Sequence, residues 1–284
     1  MPGAPIAPWR PELILCNVSL ATTRFTEFVD AASAAEFDGI SLLGRAHRRA
    51  TQRDGISDRD LRQLLDDHGL TLTDLEAAGD WLGPPPDDQP AFLRAVYSVE
   101  TYLDVAASLG ARTVVAVHFG APAPLDVAAE CFAALCDAAA ERGLQVALEF
   151  PAFATIADVA TASDVARLAD RPNGGILIDL WHHRRGGNDD DALRRVDGSR
   201  VYSVQLSDAV GEPVGPPLED VMRRCLPGEG DFGVVDHLRA LDALGVRAPI
   251  GVEVFDEALL ATGARPAAEC LAASLRRVVT EALG

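Results

Sequence analysis

Four polar residues interrupt or end short apolar runs in the second half of the chain: Glu149 within 146–150, Asp179 within 176–179, Gln205 within 203–206 and Glu253 within 251–254. A carboxylate buried in an apolar strand is costly unless it is paired, hydrogen-bonded or bound to a cation. If these runs are neighbouring strands, three carboxylates and an amide converge, and like charges that close call for a divalent counter-charge. The donors are all oxygen and hard, since glutamine offers its side-chain carbonyl, so the set favours Mn2+ or Mg2+ over zinc, with Co2+ an acceptable substitute.

The elements that must position these residues follow from periodicity. Runs rich in Val, Ile and Leu at 13–20, 39–43, 70–76, 113–118, 145–150, 175–179, 200–206 and 250–254 read as strands. They alternate with helical segments at 24–36, 57–68, 90–109, 125–142, 156–169, 190–196, 234–244 and 266–283. Gly110, Gly143 and Gly245 each stand where a helix must stop before the next strand. Eight such repeats with no linker between them predict an α/β fold, a (β/α)8 TIM barrel forming a single domain over residues 1–284, with a flexible N-terminal segment at 1–11. A doubly wound sheet that binds a dinucleotide lacks its GxGxxG motif here. Connections rich in Pro and Gly at 79–90, 184–191 and 209–231 follow strand C-terminal ends, the face on which barrel sites are built, and are expected to wall the pocket.

Composition narrows the partners. The chain has 284 residues, 48% of them hydrophobic, which is enough for a large core. A formal net charge of -18 repels polyphosphate, so nucleic acid and anionic membrane are not expected partners. No run is long and apolar enough for a membrane span, and residues 1–11 lack the pattern of a secretory signal, which makes a cytoplasmic location the expectation. The five cysteines show no CxxC pair and read as reduced thiols. The apolar content permits a homo-oligomer without demanding one.

The pattern Glu149, Asp179-Leu180-Trp181-His182, Gln205-Leu206-Ser207-Asp208 and Glu253 resembles the xylose isomerase-like TIM barrel superfamily, in particular its sugar phosphate isomerase/epimerase family. The likeness runs over nearly the whole chain, and residues 227–232 resemble the family's loop before the last strand. It implies that Glu149, Asp179, Gln205 and Glu253 ligate one divalent metal ion and that His182 contacts substrate. Most of these epimerases carry His where this chain has Gln205. Glutamine there is similar to some bacterial 3-dehydroshikimate dehydratases of the same superfamily, which raises a lyase reading.

The activity so implied is that of a divalent-metal-dependent isomerase/epimerase acting on a small keto-sugar or keto-polyol by proton transfer through a metal-stabilised enediolate. Glu149 and Glu253 would exchange protons on opposite faces of this hydroxylated carbonyl substrate, with His182 as a third catalytic group. Departure of a β-hydroxyl instead makes the chain a dehydratase of the 3-dehydroshikimate or keto-inositol type. A non-catalytic ligand-binding barrel is the third reading. An endonuclease IV-like repair enzyme is disfavoured by a chain with six histidines and acidic balance.

Around this centre, Glu76 and His118 end strands three and four, and both are expected to bind substrate at the pocket mouth. Trp81 is expected as an apolar wall and Arg185 as an anchor for a substrate carboxylate or phosphate. His183 reads as structural on an extended segment. His47, His68 and His237 read as surface residues, as do Arg223, Arg224 and Glu229 before strand eight.

Overall fold

A computed structural model describes residues 8–84, 94 and 96–284. Eight parallel strands close in sequence order: β1 (Leu13–Cys16), β2 (Gly39–Leu43), β3 (Thr71–Ala78), β4 (Thr113–Ala116), β5 (Gln145–Leu148), β6 (Gly174–Asp179), β7 (Val201–Leu206) and β8 (Ile250–Val252), which pairs back with β1. The main helices are α1 (Phe25–Ala34), α2 (Asp58–Asp67), α3 (Val99–Leu109), α4 (Leu125–Ala140), α5 (Val159–Ala169), α6 (Leu180–Gly186), α7 (Val234–Ala243) and α8 (Ala264–Leu283). The barrel expectation is borne out, and β2 keeps its expected bounds.

Several ends move, each for a local reason. The run 13–20 is strand only to Cys16, after which Asn17–Leu20 turns into a 3-10 helix. The side chains of Ser57, Ser98 and Asp158 accept the amides of Asp60, Thr101 and Thr161, so α2, α3 and α5 begin at capped first turns. For α3 this puts the start at Val99; of the expected stretch 90–98, residues 90–93 and 95 lie outside the described residues. Gly110 closes α3 at φ 75°, a left-handed conformation that costs glycine little. Of the segment expected to be flexible, residues 1–7 lie outside the described residues, while Trp9 is buried and its indole donates to the Ala248 carbonyl at 3.0 Å.

Strand alternation sorts side chains into two compartments. Val146, Leu148, Ile176, Ile178, Val204, Leu206, Ile250 and Val252 point outward into the main hydrophobic core beneath the helices. Val115, Ala147 and Leu177 form a separate cluster inside the barrel. One pleat further along the same inward face, two residues on, stand Glu149 and Asp179. The period of two therefore carries the polar residues onto a layer above a plug of small and apolar side chains. Gly251 belongs to that lower layer, where a Cβ would come within 2.7 Å of the Cys16 sulfur. Among the described residues no helix is long and apolar enough to cross a membrane.

Candidate metal centre

Register brings the ligand candidates together. Asp179 pairs with Gln205 across β6 and β7, and Gln205 pairs with Gly251, two residues before Glu253. Glu149 and Glu253 sit one step past β5 and β8, anchored by their amides to Ala116 and Leu206, each at 2.9 Å. Glu149, Asp179, Gln205 and Glu253 are all at most 8% exposed. They share the C-terminal mouth of the barrel with Glu76 on β3, which is also buried.

A cation already stands among them. Arg224, with no side-chain exposure, donates to Asp179 Oδ2 at 2.8 Å and to Glu253 Oε2 at 2.6 Å. Its guanidinium lies between the rings of Trp181 and Phe255, 5.0 Å from each centroid, which fixes its plane. The surface role expected for Arg224 is thus corrected. Asp208 explains how a loop residue reaches so deep: its backbone bridges Cys225, and its carboxylate accepts the amides of Ala209, Gly228 and Phe232. Those bonds fold 224–232 over the mouth. Arg223 and Glu229, by contrast, are exposed.

One guanidinium does not balance four buried acids. Burial, then the charges of Glu253, Asp179 and Glu76, push the Glu149 carboxyl well above its ordinary range. Burial likewise raises Glu253, although Arg224 pulls against it. At Asp179 burial also acts upward, but Arg224 and His182 outweigh it and the carboxyl ends below its ordinary value. Glu76 is raised by burial to about 7. Asp179 and Glu253 share a hydrogen bond, which requires a proton between them. A divalent cation suits this excess of carboxylate by replacing protons.

The amide of Gln205 supports the same fit. Its Nε2 donates to Glu76 Oε1 at 3.0 Å, while Oε1 is buried with no hydrogen-bond partner among the described residues. An orphaned acceptor next to carboxylates is electrostatically unfavourable without a cation. Glu149, Asp179 and His182 also come close enough to form an alternative ligand trio. The histidine is the weaker member. Its Nδ1 accepts the Ala152 amide at 3.2 Å, so the neutral ring carries its proton on Nε2, and a protonated nitrogen is no ligand. Burial lowers the His182 pKa to about 3, which keeps the ring neutral.

The Nε2 proton faces Glu149 Oε1 at 3.6 Å, and Arg224 Nη2 stands 3.1 Å from the same nitrogen. Two donors crowd one point, an arrangement suited to an acceptor oxygen lying between them. His182 is delivered there by α6, whose N-terminus is capped by Asp179 accepting the His182 amide at 2.9 Å. The extended segment expected after Asp179 is therefore helix, which turns His183 away to pair with Asp190 at 3.0 Å.

These groups open on a cavity of about 920 Å3. Glu76, Glu149, His182, Arg224 and Glu253 line its floor, and Phe119, Phe153 and Phe255 line its side. Arg45, Arg48 and Arg94 stand on its wall, a cluster of cations missed from the sequence because the chain between β2 and β3 reads as an ordinary polar connection. The expected loop 209–231 contributes Leu218, Glu219, Val221, Met222 and Arg224.

The other expected substrate contacts stand behind that wall. His118 is 1% exposed and its Nε2 meets the Ala121 carbonyl at 2.9 Å. Trp81 donates to the Val117 carbonyl at 2.8 Å and packs edge-on against His118 and Phe132. Arg185 pairs with Asp220 at 2.8 Å and lies over the Phe232 ring, so it ties α6 to the loop 209–231. Two histidines expected at the surface are buried: His47 between Tyr97 and Asp58, and His237 beside His183. His68 is half-buried against Asp30.

Fold and centre together define a (β/α)8 barrel with an oxygen-rich, cation-seeking site at its C-terminal mouth. Residues 29–277 match the Xylose isomerase-like TIM barrel family, and the chain belongs to that family. It is 30% identical over 264 residues to a 3-dehydroshikimate dehydratase of Pseudomonas aeruginosa, covering 88% of this chain. The chain spans only 39% of the length of that protein. It is 25% identical over 176 residues to an inosose isomerase of Bacillus velezensis, covering 59% of this chain and 62% of that one. A crystal structure of the IOLI protein with a binding zinc atom superposes with TM-score 0.84 at 19% identity, covering 95% of this chain and 99% of the other, a likeness of fold.

Proposed function

We propose that the chain dehydrates a small hydroxylated cyclic ketone that carries a carboxylate, of the 3-dehydroshikimate type, with a divalent metal held by Glu149, Asp179, Gln205 and Glu253. The observation that carries this reading is the polarity of the cavity, which has buried acids at its floor and Arg45, Arg48 and Arg94 on its wall. Guanidinium groups suit a carboxylate by charge and by their paired donors. The similarity to a dehydratase over 88% of this chain points the same way.

When bound, the metal polarises the substrate carbonyl and acidifies the neighbouring C–H bond. Glu149 and Glu253 are the proton carriers, since burial favours a proton on each. One takes the proton from carbon; the other gives one to the departing β-hydroxyl, which leaves as water. The His182 Nε2 proton and the Arg224 guanidinium donate to a substrate oxygen in the slot between them and orient the ring. Phe119 and Phe153, stacked with centroids 5.8 Å apart, offer an apolar side to a planar product.

Isomerisation of a neutral keto-polyol is the second reading, favoured by the similarity to inosose isomerase. It uses the same proton carriers and returns the proton to the adjacent carbon, but it gives the three arginines no partner. The readings separate in one assay of the manganese-loaded protein against 3-dehydroshikimate and a panel of inososes. Ultraviolet absorbance of an aromatic product, with KM raised about tenfold or more by Arg48→Gln, is the result expected. Turnover of neutral inososes alone, indifferent to Arg48→Gln, overturns the dehydratase reading.

A further inference from the structure

We infer that Glu76 is a positioning residue, which decides that Gln205 presents its oxygen and not its nitrogen to the metal. The inference rests on the metal reading above and adds a role for a residue outside the ligand set.

A glutamine amide has nearly the same shape either way round, so packing cannot choose its direction; only hydrogen bonding can. Left to the carboxylates of Glu149, Asp179 and Glu253, the NH2 group would turn toward them and Gln205 would be useless as a ligand. In the structure it points across the barrel to Glu76 Oε1 at 3.0 Å. Turned round, the amide oxygen would face the Glu76 oxygen, acceptor against acceptor, in the interior. The Ser41 hydroxyl also bonds Glu76, so two donors converge on it and keep it an acceptor.

The topology makes the arrangement rigid. Glu76 and Gln205 reach across the interior from β3 and β7, and one pleat below them Asp74 accepts from Ser203 at 3.1 Å across the same gap. Two parallel cross-barrel bonds, at i and i+2 of both strands, hold the strands in register at the level of the site. Gln205 Oε1 is what remains buried and unpartnered.

The test is a double-mutant cycle read by manganese affinity, with isothermal titration on metal-free protein and circular dichroism melts to confirm folding. Glu76→Gln lets the partner donate as well as accept, so the Gln205 amide is free to turn, and affinity falls about 10- to 100-fold. Gln205→Leu removes the ligand and lowers affinity at least as far. The double variant is then no weaker than Gln205→Leu alone, because Glu76 acts only through the amide. Glu76→Met, which offers neither donor nor acceptor, carries the same expectation should Glu76→Gln melt early. Asp74→Asn removes a buried carboxylate on the same strand without touching Gln205 and changes affinity less than threefold. Affinity of Glu76→Gln within twofold of the wild type overturns the inference. So do losses that multiply in the double variant, since they assign Glu76 a direct charge effect. A wild-type chain that binds no divalent ion overturns the metal reading itself.

Discussion

Arg224 meets Glu253 twice, through the side-chain oxygen at 2.6 Å and the backbone carbonyl at 3.3 Å, with no part of the arginine side chain exposed. This contact makes the centre stable before a metal arrives, because the same guanidinium also holds Asp179. Removing one partner of a buried ion pair costs about 3–5 kcal/mol. Arg224→Met is therefore expected to lower the thermal midpoint of the metal-free protein sharply. Manganese should restore more stability to the variant than to the wild type, since it supplies the missing positive charge. Melts with and without manganese measure both quantities, and equal metal-induced shifts would contradict this account.

Glu149 trades stability for chemistry. Burial and three neighbouring acids make its charged form unfavourable, so Glu149→Gln is expected to raise the stability of the metal-free protein at pH 8. The same substitution removes a proton carrier and a ligand, and turnover should fall by about 10²-fold or more. Chemical denaturation at pH 8 beside a steady-state assay checks the opposed signs.

His182 separates the two possible ligand sets. With its proton on Nε2 it is a donor to substrate, so His182→Asn should keep manganese affinity within about threefold while turnover drops about 10²- to 10³-fold. Loss of metal binding in this variant would instead make Glu149, Asp179 and His182 the ligands.

Asp74 predicts a pH dependence. Burial raises its pKa from the ordinary 3.8 to about 6, and one carboxylate oxygen has no partner among the described residues. An acid whose folded-state pKa is raised holds its proton more tightly when folded. Its stabilising contribution is full below pH 3.8 and is lost as pH rises through 6. The rise corresponds to about 3 kcal/mol. Asp74→Asn cannot ionise, so its stability relative to wild type should improve by about that amount between pH 4 and pH 7. Urea melts of metal-free protein across this range read it directly, and a flat difference would refute it.

The sequence by itself determined the barrel and the acids of its site. Glycine stops, capped helix starts and eight apolar runs are local signals, set by backbone sterics and by period-two burial, and they need no knowledge of distant contacts. Glu149, Asp179, Gln205 and Glu253 were legible because a polar residue within an apolar strand is costly wherever the strand lies. Strand ends were less legible: Asp179 is at once the last residue of β6 and the cap of α6, and the helix that follows has only seven residues.

What only the tertiary structure decided is which charges share a space. Arg224 reads as one of two loop arginines until the Asp208–Cys225 bridge carries it inward while Arg223 stays in solvent. Arg185 reads as a substrate anchor until Asp220, thirty-five residues away, is found paired with it. Glu76 and Gln205 are separated by 129 residues and meet only because the barrel closes. Pairing of charges and the direction of an amide depend on distances of a few ångströms between segments remote in the chain. No local pattern contains those distances, because they are set by closure of the sheet and by the path of loops across its mouth.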